Sequence, residues 1–125
     1  MKTRNILLSL CAVVVLNAVS AELPDSMLRR CAARMLMVGF RGDSITEESD
    51  AARYVRDLGV GGIILFDIDL TGSAKIGSRN ITEKSRLARL TADLRREAHR
   101  NLLIAIDQEG GTVRRLRPEY GFLPA

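Results

Sequence analysis

Three short runs without a charged residue punctuate the chain, Met35 to Phe40, Gly61 to Phe66 and Leu102 to Ile106. Apolar runs of this length that lack polar alternation suit strands of a parallel sheet buried on both faces. Between the runs the period becomes helical. Ser26 to Arg34 has helical composition, and Ser44-Ile45-Thr46-Glu47 has the S-x-x-E form of a capping box, so a helix is predicted to start there. Its apolar positions Ala51, Val55 and Leu58 recur on one side, and Gly59 is placed to end it. Asn80-Ile81-Thr82-Glu83 gives a second start signal, followed by Leu87, Leu90, Leu94 and Ala98 on one face of a helix running to about Arg100. The alternation of strand and helix predicts an α/β fold with parallel strands covered by helices.

The predicted strands begin near residues 35, 61 and 102. These spacings bracket the roughly 31 residues per unit of a barrel that fits eight repeats into about 250 residues. The expected architecture is therefore the N-terminal portion, about three βα units, of a TIM-type (β/α)8 barrel, incomplete as given. Three parallel strands leave two free edges and an apolar face, so this stretch is not expected to be stable alone. The last residues, Gly121 to Ala125, read as a loop, and a partial sequence is expected.

The chain has 125 residues, 46% of them hydrophobic and 27% charged, the balance of a globular domain rather than a disordered or multi-span membrane protein. Its first 21 residues stand apart. Lys2 and Arg4 precede an apolar stretch from Ile6 to Val19, and Val19-Ser20-Ala21 offers small residues before Glu22. That is the form of a secretory signal peptide; a spanning helix needs about 20 apolar residues. Residues 1–21 are read as a leader and 22–125 as one partial domain, exported to the periplasm or the cell exterior, with no membrane association after cleavage.

The net charge of +4 falls by two when Lys2 and Arg4 leave with the leader. Aromatics are only 4% and Trp is absent, whereas nucleic-acid binding calls for clustered basic charge with stacking groups or a recognition element. No nucleic-acid partner is expected, and Arg95 and Arg96, beside Asp93 and Glu97, read as a solvated helix face. Cys31 is the only cysteine after the leader and reads as a small buried side chain. His99 has no second His, Cys pair or carboxylate cluster at ligand spacing, so neither a metal nor another cofactor is expected.

In parallel α/β sheets ligands bind at the C-terminal ends of the strands, where the loops converge. Asp107 directly follows the third apolar run and opens Asp107-Gln108-Glu109-Gly110-Gly111. A carboxylate at that position accepts hydrogen bonds from ligand hydroxyls while the sheet holds its backbone rigid. Two other readings stay open, Asp107 as the cap of a following helix and Gly110-Gly111 as a phosphate cradle. Arg114, Arg115 and Arg117 follow, one of them expected to turn inward toward a ligand oxygen. The polar excursion from Asp67 to Arg79 is long for a structureless connection and is expected to be functional or mobile. Asn80-Ile81-Thr82 is also a formal N-glycosylation sequon, with the helix cap as the preferred reading.

The run from Asp107 to Gly111, with Val113 and Arg115-Leu116 behind it, resembles the D-Q-E-G-G-x-V-x-R-[LF] signature of glycoside hydrolase family 3, most closely its β-N-acetylhexosaminidase branch. Met35 to Phe40, Gly61 to Phe66 and Arg79-Asn80-Ile81 are similar to that family's earlier segments, and the resemblance runs from about Met27 to Pro124. It implies a retaining glycosidase that removes terminal β-linked N-acetylglucosamine from chitin-type or peptidoglycan-derived glycans. In such an enzyme Asp107 binds hydroxyls of the nonreducing sugar and Arg115 shapes the same pocket. The family's nucleophilic aspartate and its His-Asp acid/base loop have no counterpart in this sequence, so no catalytic residue is assigned here and this stretch alone is expected to be inactive. Glu109, two positions from Asp107, is expected to fix the loop through backbone hydrogen bonds. A noncatalytic glycan-binding remnant and a β-glucosidase of the same family are the alternatives.

Overall fold

Each apolar run forms a strand shorter than itself. The computed structural model describes residues 23–71 and 74–124; the expected leader over residues 1–21 lies outside them. Helix α1 (Asp25–Arg34) leads into β1 (Met37–Val38), and a turn-rich segment then reaches α2. This α2 is one α-helical turn, Asp50–Ala52, that widens into a π-helix, Arg53–Leu58. Strand β2 (Gly62–Leu65), the long loop, α3 (Lys84–Ala98), β3 (Leu103–Ile106) and a 3₁₀ turn (Pro118–Tyr120) complete the order. The sheet is parallel with β2 central, aligning Gly62 with Met37 on one side and Leu103 on the other.

Register separates the two faces of the sheet. Ile63 and Leu65 are buried in one core with Val55 of α2 and Leu87, Leu90, Leu94 and Ala98 of α3, and Val38, Ile104 and Ile106 pack against it. On the other face Met37 and Leu103 flank Gly62 and are exposed, Leu103 at 68%. Burial on both faces therefore fails for β1 and β3, because the helices cover one face only and no strand borders the outer edge of either among the described residues.

Two adjacent glycines let α1 and the sheet approach. A Cβ on Gly61 would lie 1.8 Å from the Arg34 carbonyl oxygen, and one on Gly62 would lie 2.8 Å from the Met37 side chain. The close passage is held by hydrogen bonds from Gly61 N–H to Ala33 C=O and from Gly62 N–H to Leu36 C=O. The rest of α1 stays on the surface and buries no residue. Cys31 is accordingly exposed, against the expectation of a buried thiol.

Neither capping signal works as read. Helix α2 starts at Asp50, and its cap is Ser49, whose hydroxyl accepts from Ala52 N–H and donates to Thr46 C=O. Residues 44–49 are irregular, with one turn at 47–48, and precede it. Ala51 and Val55 are buried as predicted, but Leu58 is 58% exposed, since the wider π-helical turn rotates it off that face. Gly59 ends the helix in the left-handed conformation, φ 71°.

Helix α3 starts at Lys84, without a side-chain cap, because Asn80 is buried and engaged elsewhere. Its four predicted core positions, Leu87, Leu90, Leu94 and Ala98, are buried. Arg100 closes both helix ends, its guanidinium donating to the carbonyls of Val55, Ala98 and Val60. A cation suits that place, because carbonyls left free at a helix C-terminus carry partial negative charge. On the outer surface of α3, Arg96 pairs with Asp93 and Glu97 reaches Arg56 of α2.

Candidate functional site

Parallel strands deliver their following residues to one rim, so Gly39-Phe40, Phe66-Asp67 and Asp107 gather at the C-terminal ends of β1, β2 and β3. Hydrogen bonds tie the loops there into one frame. Asn80 is the joint: its Oδ1 accepts from Phe66 N–H at 3.1 Å, while its Nδ2 donates to Phe40 C=O at 3.2 Å and Gly42 C=O at 2.7 Å. With both amide atoms engaged, Asn80 acts as neither a helix cap nor an accessible glycan acceptor. Arg79 adds a bond from Nε to Phe40 C=O and lays its guanidinium 4.7 Å from the Phe66 ring centre. Gly39 leaves room for this stack, since a Cβ there would meet Arg79 at 3.1 Å and Phe66 at 3.3 Å.

The long loop after β2 is structured at both ends. Asp67 C=O accepts from Ser78 N–H, and Ile68 bridges Ile76. Asp69 accepts from Arg41 Nε at 2.7 Å, and Arg41 also reaches the Thr71 hydroxyl. Arg41 and Thr71 hold the Asp69 carboxyl well below the usual carboxylate range.

Asp67 itself is fully buried. Arg117 Nε donates to its Oδ2 at 2.6 Å, and Arg115 Nη1 to its Oδ1 at 3.3 Å. The Asp67 contact raises the Arg117 guanidinium above its ordinary value, with burial opposing. A buried carboxylate is costly to leave without partners, and two guanidinium groups meet that need here. Of the three arginines after the glycine pair, two therefore turn inward, and the carboxylate they meet belongs to the protein.

Asp107 stands at the end of β3 with its side chain 39% exposed. Its Oδ2 lies 4.0 Å from Arg115 Nη2, beyond charge-assisted hydrogen-bond length. Arg115 thus spans two carboxylates, gripping the buried one and standing beside the accessible one. The loop that carries it is fixed by Gln108, whose Oε1 accepts from the N–H groups of Arg115 and Leu116 at 2.8 and 3.0 Å. Glu109, expected to fix the loop through backbone hydrogen bonds, makes one from its main-chain N–H to Val113 C=O, while its side chain is exposed. No helix follows Asp107 for it to cap; Gly110 bridges Val113 in a tight turn, with both glycines at positive φ.

The sequence marks Asp107 and Arg115 and offers Arg117 as one of three arginines to turn inward, but it assigns no part in the rim to Asp67, Gln108 or Arg79. Asp67 carries the same signal as Asp107, an acidic residue directly after an apolar strand, but it stands only as the first residue of a loop expected to be functional or mobile, with no role of its own. Among the described residues no group of three or more His, Cys, Asp or Glu is placed to hold a metal ion. A cleft of about 520 Å³ lies at the opposite rim between Arg30, Arg34, Leu58 and His99, away from Asp107.

No protein-family model matches the chain. It is 33% identical over 90 residues to a beta-hexosaminidase of Xylella fastidiosa strain M23, a match that covers 72% of this chain and 23% of that protein. A second beta-hexosaminidase, from Photobacterium profundum, is 45% identical over 65 residues, 52% of this chain and 16% of its own. In structure the chain is similar to a glycoside hydrolase family 3 beta-N-acetylglucosaminidase from Paenibacillus sp. str. FPU-7, with a TM-score of 0.59 and 34% identity over 77% of this chain and 16% of that one. The chain thus spans about a quarter or less of the length of the relatives it matches.

Proposed function

Because the chain is of glycoside hydrolase family 3 hexosaminidase type over these residues, we propose that it supplies part of the sugar-binding rim of a retaining β-N-acetylhexosaminidase. Its three strands are the first of a (β/α)8 barrel, and the whole enzyme removes terminal β-linked N-acetylglucosamine. The observation that carries this reading is the half-exposed Asp107 carboxylate on the C-terminal rim, beside a guanidinium that does not occupy its oxygens. A carboxylate so placed accepts from two sugar hydroxyls, and Arg115 donates to a neighbouring oxygen. Export rests on the sequence of residues 1–21.

Such an enzyme works by double displacement through an oxocarbenium-like transition state, with its nucleophile and acid/base group on opposite sides of the scissile bond. Asp107 and Glu109 are not that pair. They lie two positions apart on one loop, so they approach the sugar from one side, and Asp107 binds while the reacting groups come from elsewhere in the whole protein. What this rim contributes is orientation: hydroxyl contacts that tighten as the ring distorts place the anomeric carbon and lower the barrier.

The test is turnover of a chromogenic β-N-acetylglucosaminide by the complete gene product, with the matching β-glucoside as comparison. Preference for the N-acetylglucosaminide supports the proposal; preference for the glucoside makes it a β-glucosidase, and binding without turnover makes it a glycan-binding remnant. Asp107→Ala should lower kcat/KM by on the order of 2 to 4 kcal/mol, about 30- to 1,000-fold. An unchanged kcat/KM removes Asp107 from the sugar subsite.

A further inference from the structure

Arg115 faces a choice between two carboxylates, and the geometry shows which one holds it. Asp107 is the more exposed partner and lies 4.0 Å away, whereas Asp67 is buried and accepts from Arg115 at 3.3 Å and Arg117 at 2.6 Å. Left to itself, an arginine beside an accessible aspartate closes into a two-bond fork and uses both carboxylate oxygens. Were that to happen here, each Asp107 oxygen would already carry a guanidinium hydrogen bond, and ligand hydroxyls would compete with Arg115 for the remaining lone pairs. We propose that Asp67 is a positioning residue that holds Arg115 back from Asp107, keeping both groups available to the same sugar. This rests on the sugar-binding reading above and adds a part that the reading does not contain.

The surroundings fit a device fixed in place. Asp67 is held from both sides, its backbone carbonyl by Ser78 N–H and its carboxylate by two arginines. Arg115 is fixed at its main-chain N–H by Gln108, and its guanidinium lies 6.0 Å from the Phe66 ring centre, sharing that ring with Arg79. Arg115 Nε is buried without a hydrogen-bond partner, so the guanidinium is oriented through Nη1 on Asp67, with Nη2 4.0 Å from Asp107. Asp67 with its two arginines carries one net positive charge, which Asp107 balances. Removing the negative charge at Asp67 leaves Asp107 as the nearest anion for Arg115.

The experiment is Asp67→Asn in the complete protein, read by KM and kcat on a chromogenic β-N-acetylglucosaminide and by calorimetric binding of N-acetylglucosamine. Collapse of Arg115 onto Asp107 predicts a KM or Kd raised about tenfold with a smaller change in kcat, because sugar binding is lost while the reacting groups are intact. In an Asp107→Ala background, where Arg115 has no second anion to close upon, the same change should have little effect. Arg117→Gln frees one Asp67 oxygen to draw Arg115 further inward, so it also raises KM or Kd, and it serves where Asp67→Asn does not fold. Unchanged KM and Kd in a folded variant, or an equal effect with and without Asp107, overturns the positioning role and leaves the sugar reading standing. A wild-type protein that neither turns over nor binds the sugar overturns both.

Discussion

Asn80 shows how much of the rim depends on one side chain. Its amide serves three backbone groups from two other loops, Phe66 N–H, Phe40 C=O and Gly42 C=O, and it is fully buried. Asn80→Ala leaves the Phe66 N–H without its acceptor and removes one bond each from Phe40 C=O, which keeps Arg79, and from Gly42 C=O, so three ties between loops are lost at once. The expected loss is on the order of 2 to 3 kcal/mol, seen as a lower denaturant midpoint with an unchanged slope. From the sequence this residue was a helix start, since Asn three positions before Glu is also the pattern of a cap. Nothing local distinguishes a side chain that bonds its own helix from one that bonds a loop 40 residues away. Asp107 was legible for the opposite reason: its setting, an apolar strand before it and two glycines after it, is local. Asp67 likewise follows an apolar strand but needed Arg115 and Arg117, 48 and 50 residues on, to reveal its role.

Among the elements, α3 had a legible face, α2 a face legible only as far as Val55, and both had illegible starts. Leu87, Leu90, Leu94 and Ala98 are buried at the predicted spacing because core contact follows the helical period. Starts depend on where the chain turns off the sheet. The segment 44–49 stays irregular, and the hydroxyl that meets a free N–H of the first turn is that of Ser49. Ser49→Ala is therefore expected to cost about 1 kcal/mol, while Ser44→Ala costs almost nothing, a contrast that paired thermal melts would measure. The segment before α2 is tied to α3 through Asp43, which accepts from Arg86 at 2.8 Å. Arg86 holds the Asp43 carboxyl below its ordinary 3.8, with desolvation opposing. The unfolded chain then takes up a proton first as the pH falls, so the pair's contribution is present above about 3.8 and is lost as the pH drops through the lower folded value. Asp43→Asn should flatten the fall in melting temperature between roughly pH 5 and pH 2; an unaltered slope means that the pair adds no acid sensitivity.

At the scale of the whole molecule, the parallel order and central β2 follow from the alternation of apolar runs and helical periods, but the extent of cover does not. Helices α2 and α3 bury one face, and on the other Met37 and Leu103 lie open on either side of Gly62. Leu36 and Met35, both exposed, extend the apolar surface toward α1. Among the described residues the sheet has a bare apolar face and unpaired outer edges on β1 and β3, which present backbone donors and acceptors that another copy can pair, so it tends to associate. Residues 23–124 produced alone should run above monomer size in sedimentation and bind a hydrophobic dye. Leu103→Lys, which puts a charge on the open face at the most exposed strand position, should reduce both without unfolding the helix-covered side, because Ile63, Leu65, Ile104 and Ile106 point the other way. If this stretch is instead monomeric and dye-free, the open face is stable in water, and the proposal that further strands complete a barrel over it loses its physical motive.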